Sequence, residues 1–318
     1  MQATRNPIAW RMLLACLIGL VSGGLCCLNL ARREQLAADF TWPWRAANFL
    51  LEGKNPYIEI QPEGDYPFQT YFYYPLPAAL AALPFAGLPA YLAGALFFGL
   101  SSGLLAWALL QDGWQRLPLF LSAPYVVAAA TAQWTPLIVA AGLLPAMNWL
   151  LACKPNLGLA LFIYKPNKLG LALGLVFVAL SLACLPSWPW DWLAVTKQLA
   201  GHPPPFLVLP LGPLLLLAAL RWRKAGARLL LGLSLLPQLL FFYDQLPLWL
   251  LPRSFRAGLA YSALSWLAYF AWRWQGIDPH TGEILLQPVQ YILALVYLPA
   301  LLMLLWPEGK KCRWWRNF

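Results

Sequence analysis

Met12 to Leu30 reads MLLACLIGLVSGGLCCLNL, a run without a single charge. A helix needs about 20 apolar residues to cross a bilayer core, so this run predicts a first membrane span. Arg5 and Arg11 precede it. No small-x-small cleavage pattern follows, which favours an uncleaved span over a signal peptide. The rest of the chain has the same character. Hydrophobic residues make up 61% of the 318 and charged residues 11%, against about 25% charged in a soluble domain. Too few charges remain to build a water-facing surface, so lipid is the expected solvent for most of the chain. The 29 prolines fit this reading, because neighbours satisfy the carbonyls that proline frees in a membrane helix.

Further apolar runs fall near 75–88, 90–110, 117–131, 134–152, 169–187, 206–220, 227–242, 255–272 and 284–306. Together they predict an all-α polytopic membrane protein, one domain over 1–318, with roughly 9–12 crossings. The short runs 155–164 and 245–252 read as half-crossings or re-entrant helices. Basic clusters stand at KPNK (165–168), RWRKAGAR (221–228), PRSFR (252–256) and EGKKCRWWR (308–316). The positive-inside rule turns these and both termini to the cytoplasm, most simply at the plasma membrane. Every acid except Glu308 then falls outside. The net charge of +10 is spread over these small loop clusters, which argues against nucleic acid as a partner. The six cysteines have no zinc spacing and read as small hydrophobes.

Three long outer loops result: 31–74, 187–206 and 273–283. Loops of that length tend to carry function. The first holds DFTWPWRAANFLLEGKNPY, Asp39 to Tyr57. Within it, 42–52 predicts a short helix lying on the membrane. Trp42, Trp44, Phe49, Leu50 and Leu51 form its apolar side, and Gly53 ends it.

No phosphate-cradling glycine loop, HExxH or paired CxxC is present, and the histidines are His202 and His280 only. Chemistry therefore falls to carboxylates, lysines, arginines and aromatics, and neither a cofactor nor a metal is expected. Asp39 follows the first span closely, at headgroup level. It reads as a site acid, as an N-cap of the 42–52 helix or as a solvated loop acid. Lys154 lies between two apolar runs, where a charge is costly and is retained for a purpose or snorkels to the interface. Lys165 is its rival. About 16 Å of helix separates the two, so only one can reach an outer site. Asp244 also lies between apolar runs, as a site acid or an edge acid. Tyr66, Tyr71, Tyr73 and Tyr74 suit stacking on a sugar or an interfacial belt. Gln133 and His202 read as groove residues or as satisfied structural polar groups.

Asp39 through WRAANFLLEGKNPY, followed by YFYYPLPAALAALPFAGLP, resembles the opening of glycosyltransferase family 87. Tyr74-Pro75-Leu76-Pro77 departs slightly from that family's Tyr-Pro-Pro. TAQWTPLIVAAGLL (131–144) is similar to its Gly-Gln stretch, with Ala132 for Gly. KPNLGLAL (154–161) resembles its Lys-Pro motif, and FFYDQLPLWLLP (241–252) its Tyr-Asp motif. The likeness covers about residues 9–256. No histidine stands beside Tyr243-Asp244, where some members carry one, and the chain is short for the family.

The resemblance implies a GT-C-like bundle that moves a sugar, such as mannose, from a polyprenyl-phosphate donor to a lipid or glycan acceptor, with inversion, on the non-cytoplasmic face. It implies Asp39 as catalytic base. Arg45 and Lys154 become phosphate partners, with Lys165 the alternative to Lys154. Tyr71, Tyr73, Tyr74, Gln133, His202, Tyr243 and Asp244 line the groove. One carboxylate with scattered cations suits transfer better than hydrolysis, which needs a carboxylate pair. A transporter or flippase of a lipid-linked substrate, and a catalytically silent scaffold, are the competing expectations.

Overall fold

The computed structural model describes residues 7–34, 36–62, 70–198, 203–275 and 289–306. His202, Tyr66, His280, Glu308, Arg5 and the basic cluster 308–316 lie outside the described residues, as does most of the 273–283 loop. Among the described residues the fold is helical throughout, without strands.

The first helix, α1 (Pro7–Arg33), packs along α5 (Ala90–Leu110); between them in sequence come α2 (Thr41–Leu51), α3 (Pro56–Glu59) and α4 (Leu76–Ala82). Both α1 and α5 are long and apolar enough to cross a membrane. They run antiparallel with glycine at the seam. A Cβ on Gly99 would sit 3.0 Å from the Gly19 carbonyl oxygen and 3.1 Å from the Gly23 Cα, while Gly103 faces Ala15 and Gly94 faces Ala37. Small residues at this spacing let two backbones approach closely. The outer side of α1 exposes Leu13, Leu17, Leu20, Leu25 and Leu28.

Most of the remaining helices are shorter than their apolar runs, an exception being Phe255–Gln275 at 21 residues. They include α6 (Ala123–Ala130), α7 (Thr135–Leu143), α8 (Pro155–Tyr164), α9 (Lys168–Cys184), α10 (Trp188–Thr196), α11 (Ala225–Leu235) and α12 (Phe255–Gln275), with 3-10 segments at Pro145–Cys153, Gly212–Arg221 and Tyr243–Leu250. Proline sits in the first turn of α6, α7, α8, α10 and two of these 3-10 segments. Proline fits there and cannot continue a preceding helix, so each one starts a new element. Among the described residues two helices are both long and apolar enough to span, or three if α9 and α10 count as one span bent by 96°. The expected tally of crossings counted apolar runs and missed these breaks.

One expected crossing starts and ends beside the same loop. The run 75–88 holds α4 and a 3-10 turn, about 15 Å of helix. Both ends lie beside the first loop: the Tyr57 hydroxyl donates to the Tyr74 carbonyl, and the Phe85 ring meets Phe40 at 5.6 Å. The parity of the chain changes after it. Asp112, expected on the outer side with Asp39, follows the far end of α5 and pairs there with Arg116 at 2.9 Å.

Helix α2 was expected over 42–52 and forms over Thr41–Leu51, ending before Gly53 at φ 72°. Its buried face is Thr41, Pro43, Ala46, Ala47 and Phe49, and Leu51 is exposed. The small residues, rather than the tryptophans, let α4 approach.

The glycine seam makes a direct prediction. Gly99→Leu should destabilise the purified protein by ~1–3 kcal/mol through overpacking, read as a lower melting temperature in detergent. Gly24→Leu is the control, because a Cβ there meets nothing within 4 Å, and its melting temperature should be unchanged.

Candidate functional site

A cavity of about 770 Å³ opens beside α2, α8 and α10, and it gathers Asp39, Tyr71, Tyr73, Tyr74, Gln133, Lys154, Tyr243 and Asp244. These residues come from distant parts of the chain. Each is delivered by a local device that the sequence encodes.

Asp39 sits in a 3-10 turn, Ala38–Phe40, and its backbone N–H donates to the Thr131 carbonyl at 3.0 Å. Its carboxylate does not cap α2, whose N-cap is Phe40. Phe40 is fully buried, stacked on Phe97 at 4.0 Å and near Trp134 at 5.9 Å. Trp134 in turn follows Gln133. Two aromatic anchors thus sit side by side, and the polar residue before each lines the cavity.

Lys154 and Asp244 form an ion pair at 2.5 Å, their side chains only 13% and 2% exposed. Lys154 stands just before α8, where Pro155 begins the helix. Its Nζ also lies 5.2 Å from the centre of the Tyr243 ring. Asp244 is presented by a γ-turn: Phe242 has φ 59° and ψ −60°, and the Tyr243 N–H donates to the Phe241 carbonyl at 2.7 Å. Among described non-glycine residues, positive φ occurs at Ala38, Ala132 and Phe242, just ahead of Asp39, Gln133 and Asp244, and otherwise at Glu34 and Leu36. Backbone strain of this kind collects at functional sites.

Burial, partly offset by the Lys154 charge and reinforced by Asp244, pushes the Asp39 carboxyl from 3.8 up to about 6. Burial also raises the Tyr74 phenol well above its ordinary value, with the charges of Asp39 and Asp244 adding to the effect. Tyr74 therefore stays a hydrogen-bond donor at neutral pH.

Two expected cation placements need correction. Arg45 does not line the cavity. It lies one turn along α2, 3.8 Å from Glu52 and 4.1 Å from the centre of the Phe49 ring. Lys165 is at the far end of α8 from Lys154, where its Nζ donates to the Leu143 carbonyl at 3.3 Å. Arg228 gathers there too, donating to the Ile163 carbonyl. Ten helical residues of α8 separate that end from the cavity.

Sequence reading missed Thr70, Asn156, Trp192, Thr196 and Gln238 among the cavity residues. The signals were present. Asn156 follows Lys154 by two, and Gln238 is an isolated amide in a leucine-rich run. Trp192 and Thr196 come from the second long loop, whose helix α10 is tied to the first. Asn55 donates to the Asp191 carboxylate at 2.9 Å and accepts from the Tyr57 N–H at 3.0 Å, and the Trp192 indole donates to the Tyr73 carbonyl at 2.9 Å. The Asn-Pro-Tyr stretch is therefore a clamp that holds two cavity walls together.

No protein-family profile, curated protein or solved structure matches this chain.

The arrangement joins an acid of raised pKa, one compensated lysine, tyrosine hydroxyls and aromatic walls. It can take a proton near neutral pH and hold one anion beside a hydroxylated ring. The ion pair carries the second prediction. Lys154→Met leaves Asp244 buried without its partner and should cost ~3–5 kcal/mol. Lys154→Met combined with Asp244→Leu should recover most of that loss, as read by thermal unfolding in detergent.

Proposed function

We propose that this chain is an integral membrane glycosyltransferase of the GT-C type, using a polyprenyl-phosphate sugar as donor. The bundle is built on α1 and α5, with the shorter apolar segments completing it inside lipid. The cavity faces the non-cytoplasmic side of the plasma membrane, and the basic end at Lys165 and Arg228 faces the cytoplasm with both termini. The observation that carries the reading is the raised pKa of Asp39 in a cavity that also holds the Lys154–Asp244 pair. The motif resemblance agrees with it.

The acceptor hydroxyl oxygen attacks the anomeric carbon from the face opposite the phosphate. A new carbon–oxygen bond forms, and the bond to the phosphate oxygen breaks. The electron pair leaves with the lipid phosphate, and the acceptor's proton passes to the Asp39 carboxylate. A lipid phosphate is a good leaving group, so one base suffices. Lys154, held by Asp244, steadies the leaving phosphate with its remaining hydrogens. Tyr71, Tyr73 and Trp192 form the aromatic wall along which the ring lies. Asp39, Trp42 and Tyr74 face it from the first loop.

The test is transfer of radiolabelled sugar from several polyprenyl-phosphate donors to native lipid extract, in membranes carrying wild type or Asp39→Asn. Label should move with wild type and drop by at least ~100-fold in the variant. Equal transfer by both proteins would remove Asp39 from the mechanism. Donor flux into vesicles without product would instead mark a transporter.

The pH dependence follows from the same carboxyl. Its pKa is raised from 3.8 to about 6, so the base form fills as pH rises, and kcat/KM should climb through about pH 6 to a plateau. Stability runs the other way. The folded protein keeps a proton that the unfolded chain loses above pH 3.8. The resulting stabilisation is full below that value and is lost as pH rises through 6. Asp39→Asn should therefore melt no lower than wild type at pH 7.5, which separates lost chemistry from lost folding.

A further inference from the structure

We infer that Gln133 sets donor specificity by accepting a hydrogen bond from one ring hydroxyl of the sugar in the cavity. The inference rests on the glycosyltransferase reading above and names a determinant within that site. Gln133 is 1% exposed and lines the cavity, yet its side-chain oxygen has no hydrogen-bond partner. A buried amide oxygen in that state carries the whole cost of losing water, and a ligand that donates to it recovers that cost.

The backbone that carries Gln133 is fixed on both sides. The Gln133 N–H donates to the Ala128 carbonyl at 3.0 Å, closing the end of α6. Ala132 before it is in the left-handed region at φ 46°. Trp134 after it is fixed against Phe97 at 4.8 Å and Tyr74 at 6.1 Å, and Thr135 and Pro136 start α7. The Tyr243 hydroxyl lies against the amide. With its backbone anchored and Tyr243 against the amide, the oxygen selects by position.

The chemistry of the oxygen says which part of the donor it meets. The donor's phosphodiester monoanion offers only acceptors and gains nothing there. A ring hydroxyl is a donor. The phosphate belongs with Lys154, the one cation among the described lining residues, and the sugar belongs with Gln133. An epimer or deoxy sugar without a hydroxyl at that point leaves the oxygen unmade again.

The experiment compares kcat/KM of wild type and Gln133→Met on polyprenyl-phosphate hexoses in which each ring hydroxyl is replaced in turn by hydrogen. With wild type, one deoxy donor should fall by about 10–100-fold relative to its parent. With Gln133→Met, the parent and that same deoxy donor should react within about twofold of each other. Gln133→Glu keeps an acceptor oxygen and should retain the wild-type preference, which serves as the readout if Gln133→Met fails to fold. A wild type that treats all deoxy donors alike overturns the inference. So does a variant that slows every donor by one common factor, since that is the mark of a structural residue. A wild type that transfers no parent sugar at all overturns the glycosyltransferase reading itself, a distinct result.

Discussion

The site depends on one constraint: two charges, Lys154 and Asp244, are taken out of water together. Neither is tolerable alone at that depth, because an unpaired buried ion costs several kcal/mol after relaxation. The pair joins positions 90 residues apart in the chain, so the start of α8 and the Tyr243–Leu250 segment must meet. That meeting fixes one wall of the cavity. It also fixes the electrostatics of Asp39. Because the pair is neutral as a unit, the two partners act on Asp39 in opposite directions and burial is left as the dominant influence. The carboxyl is raised without losing its access to the cavity.

The backbone answers this constraint with local strain offset by packing. A non-glycine residue in the left-handed region costs roughly 1–2 kcal/mol; Ala38 and Ala132 take that φ, and Phe242 takes the strained γ-turn conformation. Beside the first two, a large buried aromatic supplies compensating contact: Phe40 after Asp39 and Trp134 after Gln133. Phe242 serves as its own anchor, fully buried against Trp272 at 5.8 Å. The strained residue turns the chain, the aromatic locks the turn, and the polar residue between or beside them is left facing the cavity. The same logic explains Ala132. A glycine would adopt its conformation more easily, but alanine is held there by burial on all sides.

Much of this was legible in the sequence where the signal was local. The uncharged run 12–30 is α1, and the run 90–110 is α5. The amphipathic stretch after Asp39 is α2. The cavity residues from the first loop, from the Lys154 motif and from the Tyr-Asp motif were named from their neighbours. What stayed illegible was set by three-dimensional contacts. Lys154 and Lys165 stand in nearly identical KPN contexts, and only the position of Asp244 distinguishes them. Arg45 is three residues from Trp42, yet Trp42 lines the cavity while Arg45 turns to Glu52 and Phe49. Hydropathy also fails to reveal that a 14-residue apolar run enters and leaves on the same side. For that reason Asp112 lies at the end of α5 away from Asp39, not beside it as expected.

The charge balance of the cavity explains why the base should be the buried acid rather than an ordinary surface one. In the proposed reaction the negative charge on Asp39 disappears as its proton arrives, and the leaving phosphate gains the same charge. Net charge in the cavity is unchanged, but it moves from a carboxylate that burial disfavours to a phosphate beside Lys154. Raising the pKa of Asp39 thus does two things. It strengthens the base, and it removes an anion from a place where an anion is costly as the transition state forms. Asp244 contributes by holding Lys154 in the geometry in which it meets the phosphate. One acid takes the proton and the other holds the lysine. Direct pairing with the lysine at 2.5 Å for Asp244, and its absence for Asp39, separates those roles.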